Sequence, residues 1–180
     1  GSVGILMLTV FAAYRLYALL PATSAFALLA VLVASTGILA VRQDSPALAV
    51  LGLLAGFAAP ILVSRGQGDH VVLFGYYAVL NLGVLLVAWL RSWRFLTLLG
   101  YVFTFGIGTV WGYLQYRPEH FASTEPFLVF FFLLYTLIPV IRVLRRGEGE
   151  IEGPVDGGLV FGTPLIFFGL QSALLRGDRP

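Results

Sequence analysis

Cysteine and lysine are both absent from this chain of 180 residues, and methionine occurs once. Without cysteine there can be no disulfide bond, thiolate nucleophile or cysteine metal site. Charged residues make up only 11% of the chain, whereas soluble domains usually carry about 25%. The basic residues are all arginines and are scattered, which argues against a nucleic-acid partner.

Long apolar runs fill most of the sequence, which is 59% hydrophobic. A helix that crosses a bilayer needs about 20 residues, so this length holds about seven spans. We therefore predict an all-α polytopic transmembrane helix bundle, with residues 1–180 forming a single domain. Membrane lipids and other transmembrane helices are the expected partners. The predicted spans are Val3–Leu20, Ala25–Val41, Pro46–Ser64, Val71–Leu90, Phe95–Leu114, Pro126–Val143 and Leu159–Leu175.

The arginines predict the orientation of the bundle. Cytoplasmic loops carry an excess of basic residues. Alternate loops fall on opposite sides of the membrane. The loops on one side carry Arg42, Arg91, Arg94, Arg142, Arg145 and Arg146, and those on the other side carry Arg65 and Arg117. The first side is predicted to be cytoplasmic, with the N-terminus there as well. Arg15, Arg176 and Arg179 count for the opposite side.

Two spans combine glycines four residues apart with a following proline. These are Gly52, Gly56 and Pro60 in the third span, and Gly158, Gly162 and Pro164 in the seventh. Helices interrupted by glycine and proline at corresponding places are typical of transporter binding sites, because freed backbone groups can hold a substrate. The alternative is that the glycines allow close packing while the prolines only kink the helices.

The polar segment Gln115–Glu125 is predicted to be a loop on the outer face. Glu119 or His120 could act as a general base there, and Arg117 could hold a phosphate or carboxylate. A structural interpretation covers the rest of the segment. It makes Ser123 or Thr124 the cap of the sixth helix, places Glu125 near its positive end and puts Pro126 at its first position.

Asn81 lies near the middle of the fourth span, and Gln171 near the end of the seventh. Buried amides in membranes usually form hydrogen bonds across helices, although Asn81 is also a candidate binding residue. No Asp, Glu, Lys or His lies at a span centre, which disfavours an ion-coupled proton relay. His70 and His120 lie in separate loops without a convincing third ligand, so neither a metal nor a cofactor is predicted.

Three strings resemble a family of bacterial multi-pass membrane proteins known only as a domain of unknown function: LGLLAGFAAPIL (Leu51–Leu62), PEHFASTEPF (Pro118–Phe127) and DGGLVFGTPL (Asp156–Leu165). The resemblance implies a multi-pass protein of the bacterial inner membrane, and that this chain is a segment of a longer protein. It carries over no activity, ligand or catalytic residue.

Three functions remain open from the sequence. The first is a transporter or flippase module for an envelope lipid or a small amphipathic solute, suggested by the paired glycine and proline spans. The second is a membrane scaffold or assembly protein that packs through its glycine faces. The third is a membrane enzyme acting on a lipid-linked substrate at the outer face through Arg117, Glu119 and His120.

Overall fold

A computed structural model describes Thr9 and residues 22–63, 70–91, 93–146 and 154–177. Within these residues the chain forms six α-helices and one 3₁₀ turn, and no strand. The helices are α1 (Ala22–Arg42), α2 (Pro46–Val63), α3 (His70–Leu90), α4 (Arg94–Gln115), α5 (Phe121–Arg146) and α6 (Pro154–Gly177), and the 3₁₀ turn is Pro118–His120. The prediction of an all-α chain is confirmed.

Six of the seven predicted spans correspond to these helices. The first predicted span, Val3–Leu20, lies outside the described residues apart from Thr9. In the described part of the chain, four stretches are long and apolar enough to cross a membrane, namely His70–Leu90, Arg94–Gln115, Pro118–Ile141 and Gly157–Leu175. The apolar stretches in α1 and α2 are shorter, Ala27–Arg42 and Pro46–Ile61. The count of seven spans and the cytoplasmic N-terminus stay predictions.

The start of the sixth span was predicted wrongly. The segment predicted as a loop ending at Glu125 is already helical, because α5 begins at Phe121. Pro118 begins the preceding 3₁₀ turn, where its fixed φ and missing N–H are tolerated. Ser123 therefore does not cap the helix, and its hydroxyl donates instead to the His120 carbonyl at 3.0 Å. Pro126 lies inside the helix rather than at its first position.

The chain divides into two compact units, Gly1–Gly83 and Val84–Pro180. In the first unit α1 packs against α2 through glycine. A Cβ atom at Gly52 would lie 2.8 Å from Thr36 Cγ2, and one at Gly56 would lie 3.1 Å from Val33 Cγ2. The Thr36 hydroxyl donates to the Leu32 carbonyl of its own helix at 2.8 Å. These glycines therefore allow two helices of the same chain to approach closely.

Pro60 lies inside α2, and its side chain is fully buried. Residue 60 of an α-helix would normally donate its N–H to the carbonyl of residue 56, but proline has no N–H. The Tyr76 hydroxyl donates to the Gly56 carbonyl at 3.0 Å, and the Tyr77 hydroxyl donates to the Phe57 carbonyl at 3.3 Å. Two tyrosines of α3 thus provide donors at the position where the proline removes one.

In the second unit α6 packs against both α5 and α4. The rings of Phe132 and Phe167 lie 4.4 Å apart. Gln171 Nε2 donates to Glu125 Oε1 at 3.2 Å, and the Tyr116 hydroxyl donates to the Leu174 carbonyl at 3.3 Å. Phe167 contacts Phe132, whereas Gln171, which lies later in α6, contacts Glu125, which lies earlier in α5. The two helices therefore run antiparallel.

The close contact at Gly52 predicts a position-dependent effect of alanine. Gly52→Ala should destabilise the protein by about 1 to 3 kcal/mol, the usual range for overpacking, because the new methyl group meets Thr36. Gly37→Ala is the matched control, since a Cβ there meets nothing within 4 Å. It should be neutral or stabilising, because alanine favours a helix. Unfolding of the purified variants in one detergent measures the difference, and equal stabilities would contradict the close contact.

The hydrogen bond at Pro60 predicts coupling between two residues. Tyr76→Phe should cost about 1 kcal/mol, a typical value for a hydrogen bond between membrane helices. The cost should shrink when Pro60→Ala is also present, because alanine at that position returns an N–H donor to the Gly56 carbonyl. A double-mutant cycle on thermal unfolding measures this coupling. Tyr113→Phe, at a side chain that is 89% exposed, is the control. A Tyr76→Phe cost that is the same with and without Pro60→Ala argues against the pairing.

Candidate functional site

The buried face of α4 carries a hydroxyl-bearing side chain at each successive turn. Thr97, Tyr101 and Thr104 are all at least nine-tenths buried. Their spacing of four and three residues places them on one side of a helix. The rings of Tyr101 and Phe105 contact the Tyr135 ring of α5 at centroid distances of 5.2 and 5.8 Å. This polar stripe therefore lies inside a packed aromatic environment.

Two tyrosine hydroxyls of this cluster lie against glycines of a neighbouring helix. A Cβ at Gly100 of α4 would lie 2.8 Å from the Tyr135 hydroxyl. A Cβ at Gly162 of α6 would lie 3.2 Å from the Tyr101 hydroxyl. The Tyr135 hydroxyl has Thr104 as a hydrogen-bond partner. At both positions the missing side chain leaves space for a hydroxyl group between helices.

The Tyr101 hydroxyl differs from the Tyr135 hydroxyl in its hydrogen bonding. It lies close enough to Thr163 for the two hydroxyls to interact, but among the described residues neither has a partner at hydrogen-bond geometry. Thr163 is fully buried, and Tyr101 is 8% exposed. An unpaired buried polar group costs about 1 to 3 kcal/mol. We call these two side chains, together with Gly162, the Tyr101–Thr163 site.

Threonines elsewhere in the helices show that the arrangement at Thr163 is unusual. The hydroxyls of Thr36, Thr109 and Thr136 each donate to the carbonyl four residues earlier, at distances of 2.8, 2.6 and 2.8 Å. That bond is the common way for a threonine to satisfy its hydroxyl inside a helix. Thr163 does not make it, so its hydroxyl is available to another group.

The two helices that combine spaced glycines with a following proline, α2 and α6, are not equivalent. Both helices continue through their prolines, so neither is unwound. Pro60 is buried, and tyrosine hydroxyls donate to the nearby carbonyls. Pro164 is exposed and directly follows Thr163. Only the second of the two positions combines a proline with unpaired buried hydroxyls in the described structure.

The other predicted site residues are distributed over both units. Gly56, Pro60 and Asn81 belong to the first unit, whereas Gly162 and Pro164 belong to the second. Asn81 is fully buried, and its Nδ2 donates to the Tyr77 carbonyl of its own helix at 2.8 Å. The cross-helix bond expected of an intramembrane amide occurs at Gln171.

The predicted outer-face residues lie at the 3₁₀ turn. Arg117 Nη1 lies 3.6 Å from Glu119 Oε1, and both side chains are largely exposed. The His120 ring packs near the Trp111 ring, with the two ring centroids 6.4 Å apart. The structure therefore brings Arg117 and Glu119 together as a surface ion pair, and it places His120 against the end of α4.

Neither Tyr101 nor Thr163 was predicted as a site residue from the sequence. Tyrosine within an apolar span is ordinary, and threonine there usually bonds back to its own helix. The one available signal was the position of Thr163 between Gly162 and Pro164, the two residues that were singled out.

The exposure of the Arg117–Glu119 pair predicts that it contributes little to stability. Surface ion pairs are usually worth about 0 to 1 kcal/mol. Glu119→Gln should therefore leave the melting temperature unchanged, and added salt should not alter that result. A clear loss of stability in Glu119→Gln would show that the pair supports the fold.

Comparison with known proteins gives a family but no relative of known activity. The search of curated proteins gave no match, and the search of solved structures gave none either. A family described as predicted membrane protein (DUF2339) matches residues 1–180. This agrees with the long apolar helices and the buried polar groups between them. The chain therefore belongs to the DUF2339 family of membrane proteins of unknown function.

Proposed function

We propose that this chain is a transporter or flippase module of the bacterial inner membrane, handling an envelope lipid or another small amphipathic solute. The observation that carries the proposal is the pair of unpaired buried hydroxyls at Tyr101 and Thr163. Hydroxyl groups both donate and accept hydrogen bonds. They suit the phosphate, hydroxyl or carbonyl oxygens of a lipid head group.

The surroundings of the Tyr101–Thr163 site fit a ligand that arrives from the bilayer. Phe161, Leu165 and Phe168 of α6 are 72%, 73% and 75% exposed. These residues stand two or five positions from Thr163, so they occupy the lipid-facing side of α6, roughly opposite the buried Thr163. An acyl chain can lie on that side while the polar end of the same molecule passes around α6 to the hydroxyls. Gly162 lies between the two sides of the helix, and because it lacks a side chain this path is less obstructed.

The alternative functions have weaker support from the described residues. A scaffold that recruits partners through Gly52 and Gly56 would need those faces to be free, but they contact Thr36, Val33 and Leu80 of this chain. An enzyme at the outer face would need Glu119 or His120 as a base. The Glu119 carboxylate is exposed and paired with Arg117, and the His120 ring contacts the Trp111 ring. The unpaired hydroxyls therefore provide the better candidate for ligand binding.

Thr163→Val tests the proposal because valine keeps the shape of threonine but removes its hydroxyl. Without added lipid, the variant should be as stable as the wild type or more stable, since an unpaired buried hydroxyl is lost. In detergent, phosphatidylglycerol should raise the melting temperature of the wild type, and this rise should be lost in Thr163→Val and in Tyr101→Phe. In vesicles of phosphatidylethanolamine and phosphatidylglycerol, translocation of fluorescent phosphatidylglycerol should slow several-fold in both variants.

Thr136→Val is the matched control. Thr136 lies in α5 and is exposed, and its hydroxyl is satisfied by the Phe132 carbonyl. This variant should respond to lipid like the wild type. The proposal fails if Thr163→Val and Tyr101→Phe retain the full lipid response and the wild-type translocation rate. It also fails if Thr163→Val is strongly destabilised without lipid, because its hydroxyl then serves the fold.

A further inference from the structure

A carboxyl group and an amide meet between α5 and α6. Gln171 Nε2 donates to Glu125 Oε1 at 3.2 Å, and both residues are half-buried. The amide oxygen of the same side chain, Gln171 Oε1, is buried and has no hydrogen-bond partner among the described residues. The amide nitrogen of Gln171 is therefore paired with Glu125, whereas its amide oxygen lacks a donor.

The hydrogen-bonding capacity of the two groups indicates which donor could pair with Gln171 Oε1. An ionised carboxylate can only accept hydrogen bonds, whereas a protonated carboxyl group also has an O–H donor. An amide offers a donor and an acceptor side by side. A protonated carboxyl can therefore pair with an amide through two hydrogen bonds, one in each direction. In the ionised state the amide oxygen remains unpaired beside a second acceptor.

We propose that Glu125 and Gln171 form a proton-binding site. The Glu125 carboxylate takes a proton from water at the membrane surface, and a new O–H bond forms on the oxygen that does not accept from Gln171 Nε2. That O–H then donates to Gln171 Oε1. The bond that breaks is an O–H bond of the hydronium ion, which becomes water, and the charge of the site changes from −1 to 0. The site does not depend on transport through the bundle.

The position of Glu125 suits a proton that comes from the aqueous phase. Glu125 lies four residues after the start of α5 at Phe121, which is about 6 Å along the helix axis. The adjacent Thr124 is 8% exposed, and its hydroxyl has no partner among the described residues. This end of the helix is thus close to water and yet contains buried polar atoms.

Among the described residues, few other charged and titratable groups lie near this end of α5. Arg117 and Glu119 of the 3₁₀ turn pair with each other at the surface, and His120 contacts the Trp111 ring. The Tyr116 hydroxyl donates to the Leu174 carbonyl, and the Tyr113 side chain of α4 is exposed. On α6 the side chain of Arg176 lies outside the described residues. Among the described residues Glu125 has no ion pair, and Gln171 is the hydrogen-bond partner that the structure shows for it.

Infrared spectroscopy of the protein in lipid vesicles tests the site, because a protonated carboxyl has a C=O absorption distinct from that of a carboxylate. The nine Asp and Glu residues all contribute to such a band at low pH, so the Glu125 component is the part of the wild-type band that Glu125→Gln removes. Gln171→Leu should shift this component to higher wavenumber, since the carbonyl loses the amide donor. Glu119→Gln, which changes an exposed carboxylate, should leave this component in place.

A second measurement separates the site from simple packing. Glutamine at position 125 can donate to Gln171 Oε1 as the protonated acid does. Glu125→Gln should therefore melt at or above the wild-type temperature at neutral pH, whereas Gln171→Leu should melt below it. The proposal is overturned if no carboxyl band disappears in Glu125→Gln, or if Gln171→Leu leaves the band unshifted. A change that follows sodium concentration and not pH would overturn the proton assignment.

Discussion

The hydrogen bond from Tyr76 to the Gly56 carbonyl shows the constraint on which this structure depends, namely that buried polar groups must find partners within the protein. Inside a bilayer no water is available for an exposed backbone carbonyl, so each polar group needs a partner from the protein. Pro60 removes a backbone donor in the last turn of α2, which ends at Val63, and Tyr76 provides another at 3.0 Å. This replacement of one donor by another lets α2 remain a buried helix although it contains a proline.

Because of the same constraint, the buried polar groups that remain unpaired are candidates for a function. Thr36, Thr109 and Thr136 satisfy their hydroxyls within their own helices, and Asn81 donates to the carbonyl of Tyr77. Among the described residues the unpaired oxygens of Tyr101, Thr124, Thr163 and Gln171 are exceptions. Those of Tyr101 and Thr163 lie beside Gly162, and that of Gln171 lies beside a carboxyl group. We assign an amphipathic ligand to the former place and a proton to the latter.

Much of the fold follows from the sequence, because apolar runs in lipid have to be helical. The predicted spans from the second to the seventh each correspond to a helix, and the packing role expected of Gly52 and Gly56 is present in the first unit. The start of α5 was missed because Pro118, and not Pro126, begins the helical segment. Two prolines eight residues apart offer the same local signal, and only the surrounding fold distinguishes them.

The candidate site could be predicted only in part. Gly162 and Pro164 were singled out from their spacing, but the hydroxyls beside them were not. Tyr101 belongs to a different helix, and the residues that it meets are about 60 positions further along the chain. The Glu125–Gln171 pair likewise joins residues 46 positions apart. Such pairs arise from tertiary packing, and no local pattern in a single sequence reports them.

A density map of the protein in lipid nanodiscs tests the central claim most directly. We expect non-protein density within hydrogen-bond distance of the Tyr101 and Thr163 hydroxyls, continuing past Gly162 to the lipid-facing side of α6 that carries Phe161 and Leu165. Around Pro60 it predicts tyrosine hydroxyls on the Gly56 and Phe57 carbonyls and no additional density. Closed packing at Thr163, with its hydroxyl bonded to protein, would contradict the assignment of a ligand site.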